Sequence, residues 1–214
     1  MSVAAVVVAA GRGVRFGGPK QFAVLGTETV SARSVRVARS VAQHVVLVVP
    51  DDYRGSGEGA DVIVVGGASR SASVRLGLAQ CVDADVVIVH DAARPFASPA
   101  LFTSVLDAVR AGADAAVPGL AVTDTLKRVA HVGSDTVVLA TVPREELVAV
   151  QTPQAFRRDL LERAHQLGDD ATDDAALVEA LGARVVVVAG EPSNIKITRP
   201  EDLSRRTSFE ESVS

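Results

Sequence analysis

The chain has 214 residues, of which 48% are hydrophobic and 22% charged, with a net charge of −4. The acidic balance, the absence of Trp, a single Tyr and the lack of any Lys/Arg-dense run argue against nucleic-acid binding. One cysteine, Cys81, excludes an internal disulfide and a cysteine-cluster metal site; no apolar run approaches the roughly 20 residues of a membrane span, and no signal-peptide pattern opens the chain, so the expectation is a soluble, cytoplasmic protein.

Short Val- and Ala-rich runs alternate with helical patterns along the chain. Strands are predicted at residues 4–9, 45–49, 62–65, 86–89, 113–117 and 184–188. Helices are predicted at about 29–42, 69–81, 98–111, 157–167 and 172–181, the last opened by Thr172 and Asp173. Alternating strands and helices point to an α/β, Rossmann-like fold: a mostly parallel sheet with helices on both faces. Right-handed crossovers bring the loops after the first, third and fourth strands to one edge. The alternation breaks at about 122–150, where residues 123–129 and 136–142 read as a hairpin with too little chain for a core of its own. This is a protruding β-arm, read as a dimerisation element, with a flap over its own site as the other reading. A short strand at 194–198 and a Pro200-initiated helix follow. Residues 1–206 form one domain in this reading, and 207–214 a disordered tail.

Three loops carry chemistry. The first, Gly11 to Lys20, combines glycines with the cations Arg15 and Lys20, and the chain has only three lysines. Backbone N–H groups and fixed positive charge suit a polyphosphate. Phe16 stands at the third glycine position of a dinucleotide fingerprint, and Pro19 precedes Lys20 where a P-loop has Gly, so neither pattern fits. The second loop, Gly66-Gly67-Ala68-Ser69-Arg70-Ser71-Ala72-Ser73, pairs glycines for close ligand approach with Arg70 and Ser73; Ser69 or Ser71 serves equally as a helix cap. The third, His90-Asp91-Ala92-Ala93-Arg94-Pro95, puts a carboxylate at a strand's carboxyl end. Asp91 there suits a ribose hydroxyl or a divalent metal, or a structural ion pair with Arg94. His90 reads as a packed, hydrogen-bonded histidine. Cys81 reads as a small apolar filler late in a helix. Residues 151–158 and 194–200 add cations suited to a second phosphate.

Together these segments resemble the 2-C-methyl-D-erythritol 4-phosphate cytidylyltransferase family. The resemblance rests on Ala9-Ala10-Gly11-x-Gly13-x-Arg15, Pro19-Lys20-Gln21, Gly66-Gly67-x-x-Arg70-x-x-Ser73, His90 to Pro95, Asp124-Thr125-x-Lys127, Thr152-Pro153-Gln154-x-Phe156, Thr172-Asp173 and Asn194 to Leu203, in order and nearly end to end. It implies that CTP and 2-C-methyl-D-erythritol 4-phosphate are joined, with release of pyrophosphate, in non-mevalonate isoprenoid synthesis. It implies further that Arg15 and Lys20 are the catalytic cations at the α-phosphate, and that Ala9, Ala10, Gly11, Gly66, Gly67, Ser73 and Asp91 form the nucleotide pocket. Asp91, Arg94, Thr141, Arg158 and Lys196 would position the second substrate, with Thr141 and Arg158 supplied by the partner's arm in a homodimer. Mg²⁺ is the implied ion, bound mainly through CTP phosphates, with Asp91 as its one candidate protein ligand. Val14, Ala68 and Pro143 stand where relatives often carry Arg, an acidic residue and Asp, and the Arg15-to-Lys20 span is shorter than usual.

Three other readings share some of these features. A cytidylyltransferase for another polyol phosphate, such as ribitol 5-phosphate, shares much of the motif set. A non-catalytic nucleotide-binding dimer needs no paired Arg15 and Lys20. A dinucleotide oxidoreductase is disfavoured by Phe16.

Overall fold

In the computed structural model, which describes residues 1–13, 16–167 and 173–204, the first apolar run is β1 (Val3–Val8). Its side chains alternate between two cores: Val3, Ala5 and Val7 enter one, Ala4 and Val6 the other. That double burial is why the run is continuously apolar. After the glycine loop come a 3-10 turn at Lys20–Phe22 and a ribbon of β2 (Val24–Leu25) with β3 (Glu28–Thr29). Thr29 caps α1 (Val30–Ala38) by accepting the Ala32 N–H at 3.0 Å.

Next are β4 (His44–Val49), β5 (Val62–Val65), α2 (Arg70–Leu78), β6 (Val86–Asp91) and α3 (Pro99–Arg110). Ser98 caps α3 and Pro99 opens it, the usual division of labour at a helix start. The chain continues through β7 (Ala115–Ala121), β8 (Leu126–Val132), β9 (Asp135–Val142), β10 (Val148–Val150), β11 (Gln154–Arg157), α4 (Arg158–Leu167), α5 (Asp174–Glu179), β12 (Val185–Ala189) and α6 (Glu201–Ser204).

The main sheet has eight strands in the order β10-β7-β11-β6-β1-β4-β5, with β12 parallel to β7. The β1, β4, β5 and β6 pairings are parallel, whereas β10 and β11 run antiparallel to their neighbours. Helices α1 and α3 cover one face, and α2, α4 and α5 the other. Each fully buried Val or Leu in these layers, such as Val6 or Leu47, contributes about 1.5–3 kcal/mol. The fold is therefore the mostly parallel, two-faced α/β sheet expected, and no helix among the described residues is long and apolar enough to cross a membrane.

Several local expectations need correction. The strand predicted at 86–89 runs on through Asp91, so the carboxylate belongs to the last residue of β6. The unpredicted β11 lies between β6 and β7; its four residues are too few to show a strand period. Residues 194–198 are not a strand: they form an irregular connection pinned where the Ile197 N–H reaches the Ala93 carbonyl at 2.8 Å. Cys81 lies just beyond α2, buried, its Sγ 3.5 Å from the Gly77 carbonyl. Burial pushes that thiol up to about 12.

The hairpin predicted at 123–129 and 136–142 is present as β8 and β9, a two-stranded sheet separate from the main one, whereas residues 148–150 at the end of the predicted arm are β10, paired with β7 in the main sheet. Its turn, around Gly133, is tighter than the 131–135 connection predicted. Val129, Val132, Val137, Val138 and Leu139 are all exposed on it.

Candidate functional site

A cavity of about 430 Å³ opens at the carboxyl ends of β1 and β6. Ala9, Ala10, Gly11 and Lys20 line it from the first loop, Gly67, Arg70 and Ser73 from the second, Asp91 from the end of β6 and Lys196 from the late connection. A second cavity of about 510 Å³ adjoins it, sharing Ala10, Gly11, Arg12 and Gly67 and extending to Gly66, Asp51 and Asp52.

The first loop is folded by its own backbone. The Gly13 carbonyl accepts N–H groups from Phe16, Gly17 and Gly18 at 2.8, 3.1 and 3.3 Å. Gly13 has φ +61°, and a Cβ there would run into the Gly18 carbonyl oxygen, so the sharp return requires glycine. Buried Gln21 ties the return down, donating from Nε2 to the Ala9 and Gly11 carbonyls at 2.7 and 2.9 Å. Lys20 thereby heads the 3-10 turn on the cavity wall. Arg15, with Val14, lies outside the described residues.

In the second loop, Ser69 is the cap of α2, accepting from the Ala72 N–H, while Ser71 is buried. Ser73 Oγ accepts the Gly67 N–H at 3.1 Å and donates to the Ser69 carbonyl at 2.9 Å, bracing the loop from within. Gly66 has no space for a side chain, since a Cβ would meet Ala10 Cβ and Ser73 Oγ. The first two loops therefore touch at this point.

Asp91 gathers the site's charge. Its Oδ1 accepts from Arg70 Nε at 3.1 Å and its Oδ2 from Lys196 Nζ at 2.6 Å. Burial alone disfavours its charge, but Arg70 and then Lys196 outweigh that and hold the carboxyl well below the usual carboxylate range. The Asp91 N–H is fixed by Thr152 Oγ1 at 3.0 Å. An Asp91–Arg94 pair is one sequence reading that the structure replaces. Arg94 instead donates from Nη1 to the Asn194 carbonyl at 2.8 Å and is absent from the lining of both cavities. Its place is behind Lys196, holding the segment that carries that lysine. His90 is fully buried, with Nε2 3.2 Å from the Arg94 carbonyl and Nδ1 3.2 Å from Thr152 Oγ1. Burial lowers its pKa to about 4, so it packs as a neutral ring.

Thr141 and Arg158 do not reach this cavity within one chain. Thr141 is exposed on β9, accepting from Lys127 Nζ at 2.6 Å. Arg158 does not belong to the arm: it opens α4, its N–H bonded to the Asp85 carbonyl beside the start of β6, at the sheet edge opposite Asp91. Its guanidinium pairs with Glu162 at 3.0 Å. Asp173 caps α5 by accepting from the Ala176 N–H, while Thr172 and the tail at 207–214 lie outside the described residues.

Two residues behind the cavity escape a motif-based reading. Arg70 Nη1 donates to Asp174 Oδ2 at 2.8 Å, and Asp174 Oδ1 lies 3.0 Å from His165 Nε2. The signal for His165 is its place in a stripe that is otherwise apolar, with Leu160, Leu161 and Ala164. No group of His, Cys, Asp and Glu suited to a metal ion occurs among the described residues.

The sequence profile of the family described as IspD: 2-C-methyl-D-erythritol 4-phosphate cytidylyltransferase matches residues 3–209. The chain is 46% identical over 210 residues to the 2-C-methyl-D-erythritol 4-phosphate cytidylyltransferase of Rhodococcus jostii (strain RHA1), covering 94% of this chain and 92% of that one. It is 46% identical over 220 residues to the bifunctional enzyme IspD/IspF of Anaeromyxobacter sp. (strain Fw109-5), of whose length it spans 57%. Among solved structures, the 2-C-methyl-D-erythritol 4-phosphate cytidylyltransferase of Thermus thermophilus superposes with a TM-score of 0.82 at 38% identity, covering 99% of this chain and 100% of that one.

Proposed function

Because this chain belongs to the 2-C-methyl-D-erythritol 4-phosphate cytidylyltransferase family, we infer that its cavity is where CTP and 2-C-methyl-D-erythritol 4-phosphate are joined. The chain is a nucleotidyltransferase. A phosphate oxygen of the polyol phosphate forms a bond to the α-phosphorus of CTP, the bond from that phosphorus to the β-phosphate oxygen breaks, and pyrophosphate leaves. The products are 4-diphosphocytidyl-2-C-methyl-D-erythritol and pyrophosphate. One observation carries the assignment of parts: a single cavity is lined by both Lys20 and the Asp91–Lys196 pair.

No side-chain base is needed. A phosphate monoester, with a second pKa of about 6, is already largely a dianion at pH 7. The obstacle is repulsion between that dianion and the triphosphate. Lys20, with Arg15 assigned beside it from the family motif, offsets the repulsion and stabilises charge on the α-phosphoryl oxygens as attack proceeds. Ala9, Ala10, Gly11, Gly66, Gly67 and Ser73 are assigned to the nucleotide, where small residues let backbone N–H groups approach it. Lys196 is assigned to the polyol phosphate and Arg94 to holding the segment that presents it.

Mg²⁺ is assigned to the triphosphate oxygens, where it would neutralise charge. Asp91 does not fit as its direct ligand in this arrangement, because both carboxylate oxygens are engaged by cations.

The arm supports a homodimer: it exposes Val129 and Val138 on one face of the hairpin and Val132 and Val137 on the other, apolar side chains left to water on a thin hairpin with no core of its own. In that assembly Thr141 of each arm would complete the neighbour's polyol-phosphate pocket. Arg158 would contribute from the core edge.

Pyrophosphate release measured with CTP, UTP and ATP against 2-C-methyl-D-erythritol 4-phosphate and ribitol 5-phosphate tests the reading. Turnover is expected with CTP and the methylerythritol phosphate; a preference for ribitol 5-phosphate, or nucleotide binding with no turnover, would replace it.

A further inference from the structure

Behind Asp91 runs a chain of buried polar groups drawn from three helices. Arg70, on α2, bridges two carboxylates: Nε and Nη2 each lie 3.1 Å from Asp91 Oδ1, and Nη1 lies 2.8 Å from Asp174 Oδ2, on α5. Asp174 Oδ1 lies 3.0 Å from His165 Nε2, on α4. An ionised carboxylate only accepts, so Nε2 carries the hydrogen. His165 Nδ1 faces Ser71 Oγ at 3.5 Å, back on α2.

The Asp174 and His165 side chains are each only 1% exposed, and neither lines the cavity. Burying a carboxylate this deeply is costly unless it is well paired. Here the pairing fixes both ends of a planar guanidinium, whose orientation determines where Asp91 is held. The contrast with Lys196 is informative. Lys196 grips the other Asp91 oxygen through a point charge on a flexible stem, and its side chain is 42% exposed against 26% for Arg70. An arriving phosphate competes for Lys196 far more readily than for Arg70.

We propose that Asp174, oriented by His165, is a positioning residue that clamps Arg70 onto Asp91 and so holds the carboxylate in place while Lys196 turns to the substrate phosphate. The proposal rests on the assignment of Lys196 and Asp91 to the polyol-phosphate site.

A double-mutant cycle on the full chain tests it, with kcat/KM for the polyol phosphate read from pyrophosphate release at saturating CTP. Asp174→Asn keeps the shape and removes the charge. It is expected to lower kcat/KM about tenfold in the native background and less than twofold in Asp91→Asn, where the group it acts through is gone. An equal loss in both backgrounds, or no loss in either, overturns the proposal. Arg70→Lys, which keeps the charge without the fork, is expected to show the same dependence on Asp91 and decides the matter if Asp174→Asn does not fold. An unsubstituted chain that releases no pyrophosphate from CTP and any polyol phosphate overturns the underlying site assignment, and the proposal with it. Turnover with an uncoupled cycle overturns the positioning role alone.

Discussion

Lys196 Nζ lies 2.6 Å from Asp91 Oδ2, although 105 residues separate the two in the chain. The juxtaposition is made by the backbone around Lys196. Asn194 Nδ2 donates to the Thr152 carbonyl at 2.9 Å, and the Ile197 N–H to the Ala93 carbonyl at 2.8 Å. A late irregular segment is thereby tied to the end of β6. If Lys196 receives the polyol phosphate, Lys196→Ala should raise the KM for that substrate at least about tenfold, the scale of one charged hydrogen bond. The KM for CTP should change little. Steady-state kinetics with each substrate varied in turn distinguishes this from a general loss.

Lys20 lines the same cavity, on a turn fixed by Gly13 and Gln21. A cation acting on charge that develops at the α-phosphate stabilises the transition state more than bound CTP. Lys20→Ala should therefore lower kcat about 100-fold, with a much smaller rise in the KM for CTP. An unchanged kcat would remove Lys20 from the mechanism.

The pH dependence of stability has an identifiable source in His90. Burial lowers its pKa to about 4, against about 6.5 in an unfolded chain. Between those values the unfolded chain binds a proton that the native chain does not. Stability should fall as pH drops below 6.5, by about 2 kcal/mol at pH 5 from this group alone. Urea unfolding at pH 7.5 and pH 5 measures the difference. In His90→Gln that part of the decline should be missing, even if the variant starts out less stable.

The arm gives a test of assembly. Val129 on β8 faces Val138 on β9, and they are 43% and 57% exposed. Charges on both, as Val129→Glu with Val138→Glu, should shift the chain to monomers in analytical ultracentrifugation while far-UV circular dichroism stays the same. A protein that sediments identically before and after the change would exclude this face of the arm as the interface.

Runs such as residues 4–9 and 86–89 were legible as strands, within a residue or two of β1 and β6, because burial on both faces removes the polar alternation and leaves an unbroken apolar signature. The arm was legible for the opposite reason, as two strand patterns with no helix between them. Gln154–Arg157 shows neither signature; its strand geometry comes from β6 and β7 on either side. The stretch at 194–198 has strand-like residues, yet its anchors include the Asn194 side chain, so propensity misleads there. At the site, the three loops could be read from glycine and charge. The Arg70–Asp174–His165 chain could not, because its members lie on three helices and no spacing links them. Arg158 follows a motif that fixes its place in sequence but not the sheet edge on which it stands.

A crystal structure of the chain with CTP measures the central relationship directly. The account predicts that Lys20 Nζ lies within hydrogen-bond distance of an α-phosphate oxygen, with Lys196 across the cavity facing the space left for the incoming phosphate. CTP bound with Lys20 and Arg15 both turned away from the α-phosphorus would contradict it.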